Sequence, residues 1–128
     1  MTSTKDFPTA DVLSTITGRL MGDIDGVYKV LEWMAGHPVW THQLPRIGRE
    51  AQPVLTNRQP ELQRAIDEAE QVNPDNYREW LARWENRYGP TIAVPKFSAD
   101  DHDPIDPMLE LAEKVSPDRI VVVGKGRP

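Results

Sequence analysis

Leu13–Arg49 reads LSTITGRLMGDIDGVYKVLEWMAGHPVWTHQLPRIGR, and this stretch decides the fold class. Two short runs in and beside it repeat apolar residues at helical spacing. Val12, Leu13, Ile16 and Leu20 share one face of a first helix, which Thr9 can cap and Gly22 can end. Ile24, Val27, Tyr28, Leu31 and Met34 share one face of a second. Asp23 or Asp25 can cap it, and Gly36 sits at its stop. His37–Trp40 is a connector held by Pro38. Thr41 is the N-cap expected for a third helix. Pro45 falls in that helix's first turn, where amides lack intrahelical partners, and Pro53 is expected to kink or end it.

Downstream, Pro60 starts a fourth helix with Leu62, Ala65, Ile66, Ala69 and Val72 inward. Asn73-Pro74 starts a fifth, whose apolar face is Tyr77, Trp80, Leu81, Trp84 and Tyr88. Gly89-Pro90 stops it. Thr91–Phe97 alternates weakly and reads as a strand. Asp103-Pro104 opens a sixth helix with Ile105, Met108, Leu109, Ala112 and Val115 inward, and Ile120–Val123 is a β-branched run expected as a buried strand. The fold class expected is α+β. A mainly helical part of about five helices spans 10–89, and a strand–helix–strand appendage spans 90–124, within one domain of 1–128. The two late strands are expected to pair parallel through a right-handed crossover. Two strands alone are marginal, so they must pack on the helices or join another chain.

Composition narrows the function classes. The 128 residues carry 15 Lys and Arg against 20 Asp and Glu, a net charge of −5. That balance argues against direct nucleic-acid binding. The absence of Cys removes disulfides, thiolate zinc sites and Cys nucleophiles. No apolar run approaches the ~20 residues of a membrane span. The opening MTSTKDFPTADV has no basic start followed by an apolar run, so no signal peptide is expected and the cytoplasm is the expected compartment.

Three constellations carry candidate chemistry. The first is Thr41, His42, Gln43, Arg46 and Arg49 at the start of the third helix. His42, Arg46 and Arg49 stand at i, i+4 and i+7 on one face. Helix N-terminal amides and Arg forks both favour an acidic group, so this island is a candidate partner- or anion-binding site. The plainer alternative is internal pairing of Arg46 with an acid, with Thr41 only a cap. The second is the acidic stretch from Asp100 to Asp118, read first as a solvated loop whose aspartates cap a helix; the alternatives make Asp100, Asp101, Asp103 and Asp106 a nucleic-acid decoy, contacts to a basic partner, or contacts to the Arg46 island. A metal site at Asp101-His102-Asp103 is not expected, because adjacent residues in one loop rarely converge on one ion and the calcium-loop spacing is missing. The third is the set Trp33, Trp40, Trp80 and Trp84, expected mainly in the core, with Trp33 and Trp40 as alternative interface anchors. Catalytic signals are poor. The three His lie in unrelated settings, no Ser sits in a nucleophile motif, and Gly18, Gly22 and Gly26 match no phosphate-binding loop and read as helix ends. No cofactor is expected.

The block resembles a family of small, uncharacterised proteins coded by phages, prophages and other mobile elements. The residues that carry the likeness are Thr17-Gly18-Arg19-Leu20, Ile24-Asp25-Gly26-Val27-Tyr28, Trp33-Met34 and Thr41-His42-Gln43-Leu44-Pro45-Arg46. Ile105-Asp106-Pro107, Glu110-Leu111 and Asp118–Val123 resemble that family's C-terminal end. The resemblance brings no biochemical activity and implies only a setting, a short accessory protein of a mobile element. Accessory proteins of this size in such elements are often inhibitors, so the function expected is binding of a protein partner without catalysis. Its sharpest version inhibits a host defence complex such as CRISPR–Cas. One alternative is a small enzyme or nucleotide-binding protein with a phosphate-recognising pocket around Arg19, His42, Gln43 and Arg46. Another is a virion or assembly component, which would show as self-association.

Overall fold

The computed structural model describes residues 3–102, 105, 108 and 121–122. The order of elements follows from one central helix. This helix, α1 (Thr9–Thr17), is preceded by strand β1 (Thr4–Pro8) and followed by β2 (Arg19–Leu20). Then come α2 (Ile24–Ala35), a 3-10 turn (Thr41–Gln43), α3 (Leu44–Arg58), α4 (Leu62–Glu68), a second 3-10 turn (Ala69–Gln71) and α5 (Tyr77–Tyr88). Strands β3 (Thr91–Pro95) and β4 (Val121–Val122) follow. The chain is a mainly helical α+β protein.

The central helix touches α2, α3, α4, α5 and the strands β1, β2 and β3. It is therefore buried on nearly every side, polar residues included: Thr9, Ser14 and Thr15 lie inside with Val12, Leu13 and Ile16. Local hydrogen bonds make that tolerable. Thr15 Oγ1 donates to Asp11 O at 2.8 Å, and Thr17 Oγ1 donates to Leu13 O at 2.6 Å. Ser14 Oγ accepts from Met21 N–H at 3.0 Å. The helix ends at Gly18, not at Gly22, because Gly18 takes the left-handed conformation (φ 72°) that a Cβ disfavours. Leu20, expected on the helix face, instead lies in β2 and is still buried. Thr9 does not cap α1. Its hydroxyl donates to Gly89 O at 2.7 Å and its N–H to Pro90 O at 2.9 Å, pinning the start of α1 to the corner between α5 and β3.

That pin explains the main departure from the expected topology. β3 does not pair with the late strand. It pairs antiparallel with β1, with Phe7 opposite Ile92 and Pro8 opposite Thr91. The tie at Thr9 brings the residues just before α1 alongside β3, and the buried Ile92 and Val94 alternate on one face. β4 pairs parallel with β2, Arg19 beside Val121 and Leu20 beside Val122. Val121 and Val122 of the late β-branched run thus form a strand, but its partner lies early in the chain. The expected sixth helix lies mostly outside the described residues. Met108, expected inward, is helical and 60% exposed.

The remaining helices follow the periodicity closely. Asp23 caps α2, its side chain accepting from Asp25 N–H at 3.0 Å, and Gly36 (φ 78°) stops it. Val27, Val30, Leu31 and Met34 are its buried face. Gly26, expected as a helix end, sits in the first turn of α2 under the Asp11 carboxyl, where a Cβ would collide with Oδ1. In α3, Leu44, Ile47, Ala51 and Leu55 are buried and Pro45 falls in the first turn. Pro53 does not end this helix, which runs on to Arg58. Pro53 and Arg49, whose carbonyl loses its intrahelical donor, are both exposed, so water can replace the missing bond. Leu62, Ala65, Ala69 and Val72 line the inner side of the fourth segment, and Trp80 and Trp84 that of α5. Glu68 joins the two: its Oε1 accepts from Trp80 Nε1 at 2.8 Å and from Trp84 Nε1 at 3.3 Å.

Candidate functional site

Three pieces of chain meet where α2 turns toward α3: the connector 36–43, the start of α3, and the segment 97–102 beyond β3. Gly36 closes α2 with its N–H on Glu32 O at 2.9 Å. The Glu32 carboxylate accepts from Val39 N–H at 2.9 Å and folds the connector back on α2. Phe97 N–H donates to Met34 O at 2.8 Å, which brings the exit of β3 beside the same helix end. Asp101 closes the following turn, its Oδ2 accepting from the N–H and the hydroxyl of Ser98 at 2.8 Å each. His102 is thereby delivered to His37, 65 residues away in sequence.

Four side chains are then joined end to end. His37 Nδ1 donates to Pro38 O at 2.8 Å, and His37 Nε2 lies 2.8 Å from His102 Nε2. His102 Nδ1 donates to Glu50 Oε1 at 2.6 Å. Arg46 donates to the other oxygen, Glu50 Oε2, at 3.0 Å. The His102 side chain is 7% exposed, and its ring stacks on Phe97 with centroids 5.0 Å apart and planes 15° apart. Two of the three histidines expected in unrelated settings are therefore in contact. The i, i+4 spacing of Arg46 and Glu50 was a visible signal for that ion pair. No spacing announced the histidine contact. Among the described residues no three His, Asp or Glu side chains are grouped to hold a metal ion.

The candidates read from the sequence are only partly gathered. Arg46 is committed to Glu50, as the plainer alternative had it. Arg49 is exposed and stands at the rim of a cleft of about 260 Å³ between the end of α1 and α3. That cleft is lined by Ser14–Gly18, Val27, Leu44, Pro45, Gly48, Arg49 and Gln52, and none of Arg19, His42, Gln43 and Arg46 lines it. Arg19 spends its Nε on Ala69 O at 2.9 Å. Thr41 does not cap the third helix: its hydroxyl meets Tyr28 Oη. Trp40 takes the cap position, and the side chain of Gln43 accepts from Trp40 N–H at 3.0 Å. Gln43 is fully buried and also donates toward Ile105 O at 3.4 Å, so it serves the backbone. His42 lies in the 3-10 turn, which breaks the i, i+4, i+7 register with Arg46 and Arg49; its ring meets Trp40 edge-on at 5.8 Å. Asp100 is exposed and Asp101 is engaged with Ser98, while Asp103 and Asp106 lie outside the described residues. Of this stretch, His102 bonds Glu50 of α3.

The tryptophans divide. Trp80 and Trp84 are core, each 4% exposed, and Trp33 is half-buried with Nε1 on Val94 O at 2.8 Å. Trp40 is 44% exposed, which corrects its expected place in the core. The connector is turned outward because its neighbours Val39 and Gln43 are the residues drawn inside.

Burial also acts on Asp11. Desolvation pushes its carboxyl above the usual value of 3.8, Lys29 opposes this, and Asp23 adds to it. The folded state thus holds the Asp11 proton more tightly than the unfolded chain does. Its contribution favours the fold below pH 3.8 and turns into a penalty as pH rises through the elevated value. Asp11→Asn is expected to melt higher than the native protein at pH 7, with the advantage shrinking toward pH 3. Melting curves at both pH values check this, and an advantage that persists undiminished at pH 3 contradicts it.

The architecture defines a small helical α+β protein with an internally bonded polar corner. Residues 7–72, more than half of the chain, match a family described as a domain of unknown function, DUF7736, and the chain belongs to that family. The match takes in α1, α2 and α3 with His37, Trp40, Arg46 and Glu50, and ends before β3 and His102. No curated protein and no solved structure matches the chain. Among the described residues no helix is long and apolar enough to cross a membrane.

Proposed function

We propose that the protein acts by binding a protein partner, without chemistry of its own, as an accessory protein of a phage or other mobile element. In its sharpest form the partner is a host defence complex such as CRISPR–Cas, met in the cytoplasm. Trp40 carries the reading. The residue is 44% exposed, yet the backbone that bears the indole is fixed on both sides, through Val39 N–H on Glu32 and Trp40 N–H on Gln43. A large aromatic surface on a pre-ordered backbone loses little conformational freedom on association. Trp and Arg are also the residue types that most often dominate interface energies. Arg49 is exposed in α3, and its guanidinium fork suits carboxylates. The partner surface expected is therefore an apolar pocket with acidic groups beside it. The likeness of Leu13–Arg49 to mobile-element proteins supports the setting.

The test uses tagged protein in lysates of infected and uninfected host cells. Trp40→Ala with Arg49→Glu is expected to weaken partner capture about thirtyfold or more, since a hot-spot residue contributes about 2 kcal/mol or more. The melting temperature of Trp40→Ala alone should stay near that of the native protein, because Trp40 is exposed. A captured set that the double substitution leaves unchanged overturns the reading.

A further inference from the structure

We propose that His37 and His102 share a single proton and form a pH-operated latch, which fastens the 97–102 segment to the α2–α3 corner most firmly while the pair is singly protonated. The argument is a count of hydrogens. Pro38 O can only accept, so His37 Nδ1 carries a hydrogen. The Glu50 carboxylate, already holding Arg46, also accepts, so His102 Nδ1 carries one. Both Nε2 atoms are thereby committed to each other at 2.8 Å. Two bare nitrogens at that distance would oppose lone pairs, and two protonated ones would oppose hydrogens. One bridging proton gives an N–H···N bond of ordinary length.

The ring geometry fits a proton and not a metal. The centroids are 5.0 Å apart and the planes differ by 28°. That separation is close to the N···N contact plus the two ring radii, so the rings meet edge to edge with the nitrogens aimed at each other. An ion between two imidazoles needs longer N···N spacing, or lone pairs converging on a third point, since each metal–nitrogen bond is about 2.0–2.1 Å. The groups around the pair also suit one positive charge. Glu50 offsets it from α3, and Arg46 holds Glu50 in place. Glu32 of α2 is taken up by the connector, and Asp101, in the loop, by Ser98. Asp100, in the same loop, is exposed, and Phe97 covers one face of His102.

The latch therefore loosens in both directions. A second proton sets N–H against N–H. Loss of the bridging proton leaves opposed lone pairs, or makes His37 change tautomer and give up Pro38 O. A plain His–Glu ion pair has no such acid-side weakness while its carboxylate stays ionised. The first experiment needs no variant. In uniformly 15N-labelled protein, a scalar coupling across the hydrogen bond should connect the two Nε2 atoms, and the two imidazoles should titrate jointly. Hydrogen-exchange protection of the Phe97 amide, which rests on Met34 O, should peak at intermediate pH. It should fall by up to about tenfold per pH unit on the acid side, as the open form takes up one more proton. His102→Phe, which keeps a ring against Phe97, should flatten that profile. Absence of the coupling, independent titration of the two rings or a monotonic protection profile overturns the latch. So does uptake of one equivalent of Zn2+ that His37→Ala abolishes, because a metal would then hold the place assigned to the proton.

Discussion

Deletion of residues 1–7 is expected to leave the protein aggregated or melting at least ten degrees lower. The segment has no apolar alternation, and Thr4, Lys5 and Asp6 are exposed. Its weight comes from position. β1 is the strand paired to β3 over five residues, and Phe7 is part of the core at 6% exposure. Loss of a buried Phe side chain alone costs about 3–5 kcal/mol. A domain of this size holds a total stability of roughly 5–15 kcal/mol. The deletion also strips the ladder from β3 and bares Ile92 and Val94. Such an unpaired strand is a template for aggregation. Thermal melting and light scattering of the truncated chain test this. A soluble truncation with an unchanged melting temperature would show that β1 is dispensable and that β3 finds its order elsewhere.

Trp80→Ala is the second large effect expected. The indole is 4% exposed and its Nε1 donates to Glu68 Oε1, an oxygen that also takes the Trp84 indole. Truncation removes a large apolar surface and leaves a cavity, for about 3–5 kcal/mol. In a domain of this size that lowers the melting temperature by roughly ten degrees or more. Trp80→Phe separates the two contributions. It keeps most of the ring and leaves Glu68 with Trp84 and the Arg64 pair, so it should cost clearly less than the alanine change. A shift of only a few degrees in Trp80→Ala would put this face on the surface.

Much of the helical frame is legible in the chain because local chemistry and burial agree there. Asp23 and Gly36 bracket α2 as their residue types suggest, and Val27, Leu31 and Met34 between them are buried. The inner faces of the fourth and fifth segments are likewise readable from spacing. What escapes a sequence reading is set by long-range contacts. β1 is a strand because Thr9 is tied to Gly89 and Pro90, a relation across 80 residues that no local pattern encodes. Pro53 stays inside α3 because its side faces water, which the sequence does not show. Gly26 reads as a stop but is needed for the approach of Asp11.

The polar corner teaches the same lesson at the candidate site. Arg46 and Glu50 could be paired from their spacing, whereas His37 and His102 meet only after α2 has ended, the connector has folded back on Glu32 and β3 has delivered Phe97 to Met34. The basic island, once folded, is less a reservoir of open cations than a bonded frame. Arg46 holds Glu50, Gln43 holds Trp40 and Arg19 holds Ala69. The frame leaves the Trp40 indole outward, and that asymmetry directs the functional reading toward recognition.

Site-specific photo-crosslinking tests that reading most directly. A photoreactive phenylalanine analogue replaces Trp40 in one version of the protein and Asp75, an exposed turn residue before α5, in another. Both are expressed in host cells and irradiated with and without phage infection. The account predicts a discrete adduct from position 40, absent from position 75, whose second component is a host or phage protein. No discrete adduct from position 40, the same adducts from both positions, or an adduct made only with a second copy of this chain would contradict it.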